Sequence, residues 1–172
     1  MSIGGYMLRP PKLDRIDINI LAELQKSGRI TNAQLADKVG LSASPCLARV
    51  KRLEDAGYIT GYGATINLAK LGTVQVVFTS ITLSDHKLAD FTKFEKGIQD
   101  IDEIVECHLV SGGFDYLVKF FTTSVTHYQE VIERILERNI GVSKYFSYIV
   151  IKSPIVKGHA PVKKLITERS AT

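Results

Sequence analysis

The sequence predicts an α+β protein built from two regions of different character. Three short amphipathic helices are predicted within residues 13–56, and the last two are joined by a tight turn that contains glycine. After a linker, segments rich in β-branched residues alternate with helical segments in the order β-α-β-β-α-β. These two patterns of element order predict the fold class.

The first helix is predicted over residues 13–27. Its apolar residues recur at intervals of three and four, which places them on one face of a helix. Asp14 and Asp17 lie in the first turn, where the helix dipole favours negative charge. Gly28 is expected to end the helix.

The second helix is predicted over residues 32–39. Thr31 is a good N-cap, and Gln34 three residues later completes the pattern of a capping box. In that motif each side chain bonds the backbone N–H group of the other residue. Gly40 follows the last apolar residue and is expected to end the helix.

The third helix is predicted over residues 43–56, with Ser42 as its N-cap and Pro45 in the first turn, where a missing N–H costs little. Gly57 is expected to end it. Three short helices with a glycine turn before the last one predict a helix-turn-helix. The segment 58–67 contains β-formers around two glycines, and it is either a short β-hairpin wing or an extended strand that leaves the helices.

The second region contains four predicted strands and two predicted helices. Their order is the ferredoxin-like βαββαβ arrangement, which puts both helices on one face of the sheet. The apolar side chains of the other face then need a second subunit to cover them. The strands are predicted at 74–83, 104–110, 116–121 and 145–151, and the helices at 88–98 and 125–138.

Domain organisation follows from these elements. The predicted fold class is α+β, with an N-terminal helix-turn-helix domain, winged or not, and a C-terminal ferredoxin-like domain. After the last strand, Ile155–Val156 is strand-like and the rest is a basic tail. The predicted boundaries are an N-terminal tail at 1–12, the helix-turn-helix domain at 13–62, a linker at 63–72, the βαββαβ domain at 73–152 and a C-terminal tail at 153–172.

Charge is unevenly distributed along the chain. The net charge is +4, and residues 1–62 contain nine Lys or Arg against six Asp or Glu. Residues 63–172 contain thirteen against twelve. A basic first third attached to a nearly neutral remainder favours a nucleic-acid-binding module joined to a domain with another task.

Composition argues against several other classes of protein. No apolar run approaches the roughly 18 residues of a membrane span, and residues 1–12 lack the apolar core of a signal peptide, so we expect a cytoplasmic protein without a membrane partner. Cys46 and Cys107 are far apart, and no Cys/His spacing is typical of a metal site. We expect no disulfide framework, metal or cofactor, and both cysteines are expected to be small buried apolar groups.

The third helix is the candidate for reading DNA. Cys46, Val50 and Leu53 share one side of it, and residues 42–53 contain three cations and no acid. Small groups near the N-terminus of the helix can approach base edges in the major groove, while the cations reach bases or phosphates. An ordinary amphipathic helix with a solvated basic side is the alternative. The residues predicted to contact DNA are Ser42, Ser44, Pro45, Ala48, Arg49, Lys51 and Arg52.

Six short segments of the sequence resemble the same known protein family. The first four are LDRID at 13–17, GRITN at 28–32, LSASPC at 41–46 and RVKRLE at 49–54, and the last two are ECHLVSG at 106–112 and FDYL at 114–117. Together they resemble the Lrp/AsnC (feast/famine) regulators of bacteria and archaea, closest to the leucine-responsive branch. The resemblance covers residues 13–152 in the right order.

The resemblance implies an assembly and a ligand as well as a fold. It implies dimers paired across the sheets, higher rings that are often octamers, and an amino acid bound where dimers meet, near the turn after the second strand. In this chain that turn is 111–115, where Asp115 would face the ligand's ammonium group and Gly112 would allow close backbone approach. Gly113 stands where the family often has an acidic or polar residue, which puts the ligand's identity in doubt. The resemblance further implies that Leu109, Tyr148 and Val150 lie nearby on neighbouring strands.

Simpler roles for these residues stay open. Asp115 after two glycines is also expected of a residue that only caps its turn. The apolar and aromatic residues of the predicted site have the character of core or interface residues as well. The sequence alone therefore leaves ligand contact and a structural role as alternatives at each of these positions.

The predicted function is a sequence-specific DNA-binding transcription regulator of amino-acid metabolism, and not an enzyme. The sequence shows no spacing typical of a catalytic triad and no glycine-rich phosphate-binding loop. The expected partners are double-stranded DNA, further copies of the chain as a dimer, tetramer or octamer, and a small effector, expected to be an amino acid. Two alternatives stay open: an architectural protein that compacts DNA with little sequence preference, and an amino-acid sensor that does not bind DNA.

Overall fold

The computed structural model describes residues 12–169, which form two compact units. The first unit combines the residues up to Thr65 with those from Val156 onward, and the second unit is Ile66–Ile155. The first unit is therefore built from two separate stretches of the chain. The N-terminal tail predicted at 1–12 lies, apart from Lys12, outside the described residues.

The first unit opens with three helices. Thr31 accepts the Gln34 backbone N–H at 3.3 Å, and the Gln34 side chain accepts the Thr31 N–H at 3.1 Å, so the predicted capping box is confirmed. Gly40 ends the second helix with φ 73°, a left-handed conformation that suits glycine. The helices are α1 (Arg15–Lys26), α2 (Asn32–Val39) and α3 (Ala43–Asp55).

A small apolar core joins these three helices. The Asn32 side chain, at the start of α2, donates a hydrogen bond to the carbonyl oxygen of Ala43 at 2.7 Å, which links it to the start of α3. The predicted helix-turn-helix is therefore confirmed. The buried core residues are Ile20 of α1, Leu35, Ala36 and Val39 of α2, and Cys46 and Leu53 of α3.

The segment after α3 forms no hairpin. Gly57 follows the helix with φ 73°, and residues 59–67 contain neither helix nor strand. A β-wing needs two paired strands, so the hairpin interpretation of this segment is wrong. The other interpretation, an extended strand that leaves the helices, is not found in residues 59–67 either, because this segment contains no strand.

The second unit is a four-stranded antiparallel sheet in the order β2-β3-β1-β4, with two helices. This is the predicted βαββαβ arrangement. A single 3-10 turn at Leu68–Lys70 precedes the first strand. The elements are β1 (Gln75–Leu83), α4 (Leu88–Ile98), β2 (Ile104–Leu109), β3 (Tyr116–Thr122), α5 (Val125–Glu137) and β4 (Val142–Ile149).

The core of the second unit lies between one face of the sheet and the two helices. Phe94 of α4 and Val118 of β3 are among its fully buried apolar residues. The Tyr128 hydroxyl, from α5, lies 2.8 Å from Thr79 Oγ1 of β1 and also bonds Ser147 Oγ of β4. This buried hydroxyl links α5 to two neighbouring strands.

The opposite face of the sheet is apolar and largely uncovered within the chain. Phe146 and Tyr148 of β4 are 54% and 57% exposed. In the strand register Tyr148 is paired with Phe78 of β1, so both side chains are on this face. The Lys144 amino group lies 4.7 Å from the centre of the Phe146 ring. The predicted apolar face is therefore confirmed.

A C-terminal helix, α6 (Val162–Arg169), belongs to the first unit and packs against α1. Just before it, the Ala160 N–H donates a hydrogen bond to the side-chain oxygen of Gln25 at 2.9 Å. Apolar side chains of α1 and α6 line a cavity of about 530 Å³. The expectation of a strand-like stretch at Ile155–Val156 is wrong, since no strand forms there. Part of the predicted basic tail forms α6, which packs against α1.

No described helix is both long and apolar enough to cross a membrane. Within residues 12–169, the His, Cys, Asp and Glu side chains form no group of three or more that could hold a metal ion.

Candidate DNA interface and effector site

The outward face of α3 carries most of the residues predicted to contact DNA. Cys46 and Leu53 are fully buried on the inward side and anchor the helix in the core. The other side is left open along the length of the helix, as entry into a major groove requires. Of the predicted residues, Arg49 is partly buried, and the exposed ones are Ser42, Ser44, Pro45, Ala48, Lys51 and Arg52.

Ser42 occupies the N-cap position of α3, as the sequence predicts, but its side chain makes no capping hydrogen bond. The hydroxyl is therefore not used by its own helix. A hydroxyl at a helix N-terminus can donate to a phosphate oxygen, and the helix dipole favours an anion there.

A buried carboxylate lies between α1 and α3. Asp17 is fully buried; Arg49 Nη1 lies 2.8 Å from its Oδ1 and Arg52 Nη2 lies 2.6 Å from its Oδ2. Arg49 Nη1 also lies 2.6 Å from Oδ2 of Asp14. A buried charge is costly unless it is paired, and here two cations of α3 compensate it. We refer to these four residues as the Asp17 cluster.

Because of the Asp17 cluster, the three cations of α3 differ in how available they are to contact DNA. The Arg49 side chain is 28% exposed and pairs with two carboxylates, so it holds α3 against α1. The Arg52 side chain is 46% exposed and leaves more of its guanidinium open to solvent. Lys51 is exposed, and within the described part of the chain it forms no ion pair. Lys51 and Arg52 are thus the more available cations.

Hydrogen bonds favour the charged forms of Asp14 and Arg49 within the Asp17 cluster. The backbone N–H of Asp17, and next the Arg49 side chain, lower the pKa of Asp14. Hydrogen bonds to Asp14 and Asp17 raise the pKa of Arg49 above its ordinary value. The sequence indicated only a helix-dipole role for the two aspartates. It gave no signal for partners more than 30 residues away in the chain.

The turn between β2 and β3 is the predicted effector turn, residues 111–115. The Val110 N–H donates to the carbonyl oxygen of Asp115, and the Asp115 N–H donates to that of Ile81, each at 2.9 Å. Gly112 has φ 148°, and no atom lies within 4 Å of a Cβ added there. The turn is therefore anchored to β1 at one end and open to an approaching molecule at Gly112.

The Asp115 carboxylate is held by two groups. Its Oδ2 accepts the Leu83 N–H at 2.7 Å, and His86 Nε2 lies 3.1 Å from the carboxylate. The His86 ring in turn lies 6.1 Å from the Phe91 ring of α4, centre to centre. The sequence analysis did not single out His86, because 29 residues separate it from Asp115 and no local pattern indicates such a pair.

The other predicted effector residues do not come together within one chain. Leu109 lies on the edge strand β2, whereas Tyr148 lies on β4 at the opposite edge. The Val150 N–H bonds the carbonyl oxygen of Val76, at the end of β1 remote from the effector turn. Leu109 lies directly before the effector turn, as expected, whereas Val150 lies away from it and Tyr148 lies on the far edge strand of the same chain. A site that includes all of them requires a second subunit.

Neither cysteine has the character of a reactive thiol. Burial raises the pKa of Cys46, in the core of the first unit. Burial, and next the charge of Glu95, raise the pKa of Cys107 to about 11. A thiol with a raised pKa carries little of the reactive thiolate at neutral pH. The prediction of a small buried apolar group is confirmed for Cys46, whereas Cys107 is only partly buried.

Two protein-family models match the chain. A model described as winged helix-turn-helix DNA-binding matches residues 13–60, and a model described as the Lrp/AsnC ligand binding domain matches residues 76–159. The first match includes α1 to α3, and the second includes the sheet apart from Gln75, the first residue of β1.

Relatives of the chain match over most of their length. The transcriptional regulatory protein DoeX of Halomonas elongata is 46% identical over 142 residues, which are 83% of this chain and 90% of the relative. The leucine-responsive regulatory protein of Escherichia coli K12 is 47% identical over 145 residues, which are 84% of this chain and 88% of the relative.

Solved structures of similar fold are also regulators. A transcriptional regulator of Neisseria meningitidis in complex with L-Met has a TM-score of 0.83 and 31% identity, covering 90% of this chain and 99% of its own. An AsnC family transcriptional regulator from Agrobacterium tumefaciens has a TM-score of 0.83 and 28% identity, covering 89% and 99%.

Proposed function

Because the chain belongs to the Lrp/AsnC family of transcription regulators, we propose that it reads a pseudo-palindromic DNA site as a dimer and responds to a free amino acid. The chain is a DNA-binding transcription regulator with a domain for a small effector. The proposal adds which residues contact DNA, which residues hold the ligand, and how copies assemble in the cytoplasm. The outward face of α3 is the observation that carries it.

That face presents small side chains first and cations one turn later. Small groups allow the backbone of a helix to approach base edges closely, and cations beside them reach phosphates. Arg49, with its two carboxylate partners, acts mainly by holding α3 in place. The proposed contact residues are Ser42, Ser44, Pro45, Ala48, Lys51 and Arg52, with Arg49 in the supporting role.

The effector turn supports an amino-acid ligand. A carboxylate such as Asp115 accepts hydrogen bonds from an ammonium group, and the open backbone at Gly112 lets a small molecule come close. One structural neighbour holds L-Met, and several relatives are named leucine-responsive. L-methionine and L-leucine are therefore the first ligands to test. In this proposal a second subunit supplies Tyr148 and Val150 to the site of Leu109.

The apolar outer face of the sheet supports self-association. Exposed aromatic side chains such as Phe146 are costly in water and are stabilised when a second copy covers them. We assign this face to the dimer contact. Further assembly to a tetramer or octamer would bring effector turns of different dimers together. Sedimentation of the purified chain, with and without L-leucine, measures these states directly.

The test of the proposed function is DNA binding by the purified full-length chain. Its affinity for the DNA upstream of its own gene is compared with its affinity for random duplex, with and without L-leucine and L-methionine. We expect a preference of about 10³-fold or more for the specific site. We also expect one of the two amino acids to change that affinity.

Other outcomes point to other functions. Equal affinity for both duplexes would favour an architectural protein that compacts DNA. The absence of any salt-dependent binding to either duplex would favour an amino-acid sensor that does not bind DNA. If the protein prefers the specific duplex and neither amino acid changes that preference, it is still a transcription regulator, and L-leucine and L-methionine are rejected as its ligands.

A further inference from the structure

The Asp115 carboxylate already has two partners within the chain, the Leu83 N–H and the His86 imidazole. The Leu83 N–H donates to Oδ2 at 2.7 Å, and His86 Nε2 lies 3.1 Å from Oδ2 and 3.1 Å from Oδ1. Because an ionised carboxylate only accepts hydrogen bonds, the imidazole is the donor in this contact. An incoming ammonium group therefore meets a carboxylate that is already engaged.

His86 is the more exposed member of its contact with Asp115. The Asp115 side chain is 16% exposed and the His86 side chain is 56% exposed. The imidazole lies in the segment between β1 and α4, and its ring packs near Phe91 at the start of that helix. The Leu83 N–H belongs to the backbone of β1 and stays in place, whereas His86 is a surface side chain that can turn away. Of the two partners, His86 is the one that a ligand can displace.

We propose that His86 is a specificity-determining residue, which competes with the ammonium group of the effector for Asp115 and thereby sets the effector concentration that the protein detects. The inference rests on the proposed role of Asp115 as the ammonium partner. An ammonium group and an imidazole N–H are both donors directed at the same two oxygens. Only ligands that carry an ammonium group encounter this competition. The site therefore needs a higher concentration of an α-amino acid to be occupied than it would need if Asp115 had no His86 partner.

The experiment measures ligand affinity by isothermal titration calorimetry on the full-length chain. Two variants are compared with the unmodified protein, His86→Ala, which removes the donor and the ring, and His86→Phe, which removes the donor and keeps a ring beside Phe91. We expect both variants to bind L-methionine or L-leucine about fivefold more tightly, the size of one hydrogen bond in net free energy. His86 is on the surface, so circular dichroism is expected to show an unchanged fold for both variants.

A matched ligand isolates the ammonium group. The 2-oxo acids of methionine and leucine keep the side chain and the carboxylate but lack the ammonium group. We expect their affinities to be the same for the unmodified protein and both variants. If the variants bind the amino acids more tightly but bind the 2-oxo acids with unchanged affinity, the result supports competition between His86 and the ammonium group.

Two other results would overturn the inference. Weaker or unchanged amino-acid binding by His86→Ala would mean that His86 assists the ligand or is irrelevant to it, and the proposed function would stand. An equal gain for the 2-oxo acids would mean that His86 does not compete with the ammonium group. If the unmodified protein and both variants bind neither amino acid, the proposed effector site and this inference fail together.

Discussion

The two units of the chain use charged side chains in opposite ways. In the first unit, the fully buried Asp17 is compensated by two arginines of α3, the helix that is proposed to read DNA. In the second unit the core is apolar apart from hydroxyl groups such as that of Tyr128, and the contact between Asp115 and His86 lies near the surface. In the first unit the same side chains therefore serve both the interior and the binding surface. In the second unit different side chains serve the interior and the surface. Loss of the buried Asp17 carboxylate is therefore expected to change stability and DNA binding together.

The largest effect is expected at Asp17. Asp17→Ala leaves two guanidinium groups without their buried partner, so we expect the free energy of unfolding of the first unit to fall by about 2–3 kcal/mol. This is less than for a fully buried pair, because both arginines reach solvent. Hydrogen exchange followed by mass spectrometry is expected to show lost protection in α1 to α3 and unchanged protection in the sheet. Asp37→Ala on α2 is the control, since Asp37 is exposed; an equal loss in both variants would contradict the role of the cluster.

Smaller effects are expected from substitution of two cations of α3, and the two substitutions are expected to change different quantities. Lys51→Ala is expected to reduce the slope of log affinity against log salt concentration by about 1, as the loss of one phosphate contact does, and to leave stability unchanged. Arg49→Ala is expected to lower the free energy of unfolding by about 1–2 kcal/mol, because it removes bonds to two carboxylates. Urea denaturation and duplex titrations over a salt series measure the two quantities. If Arg49→Ala changes the salt slope and leaves stability intact, the assignment of the two residues is reversed.

The smallest effect is expected inside the second unit. Tyr128→Phe removes the hydroxyl that bonds Thr79 and Ser147, so we expect the free energy of unfolding to fall by about 1 kcal/mol. Because this core does not share side chains with α3, duplex affinity is expected to stay the same. Thermal unfolding and a duplex titration on the same preparation check both statements. A parallel loss of DNA affinity would remove the contrast between the two units.

Local sequence patterns were sufficient where the interactions are local. The capping box of Thr31 and Gln34 joins residues three apart, and the bounds of α2 and α4 follow the prediction. β4 begins at Val142, three residues before the prediction, because its first residues pair with the end of β1 although they lack clear alternation. The order of the elements was enough to predict the sheet.

Long-range contacts account for what the sequence did not predict. Residues 59–67 have the composition of a hairpin but no paired strand. α6 has only a short apolar stripe, whose partner is on α1, about 140 residues earlier in the chain. The ion pair of Asp17 with Arg49, and the contact of His86 with Asp115, join residues 32 and 29 apart. Such pairs depend on the tertiary fold, and a single sequence gives no signal for them.

The position of α6 has a consequence for biosynthesis. The first unit begins with α1 but includes residues 162–169, and the whole of the second unit is translated in between. Chains are made from the N-terminus, and domains generally fold as they emerge. A nascent chain therefore leaves the apolar side chains of α1 that face α6, such as Leu21 and Leu24, uncovered until the ribosome has passed the second unit. The helices that are made first are among the last to be completed, and nascent chains are expected to depend on chaperones during that interval.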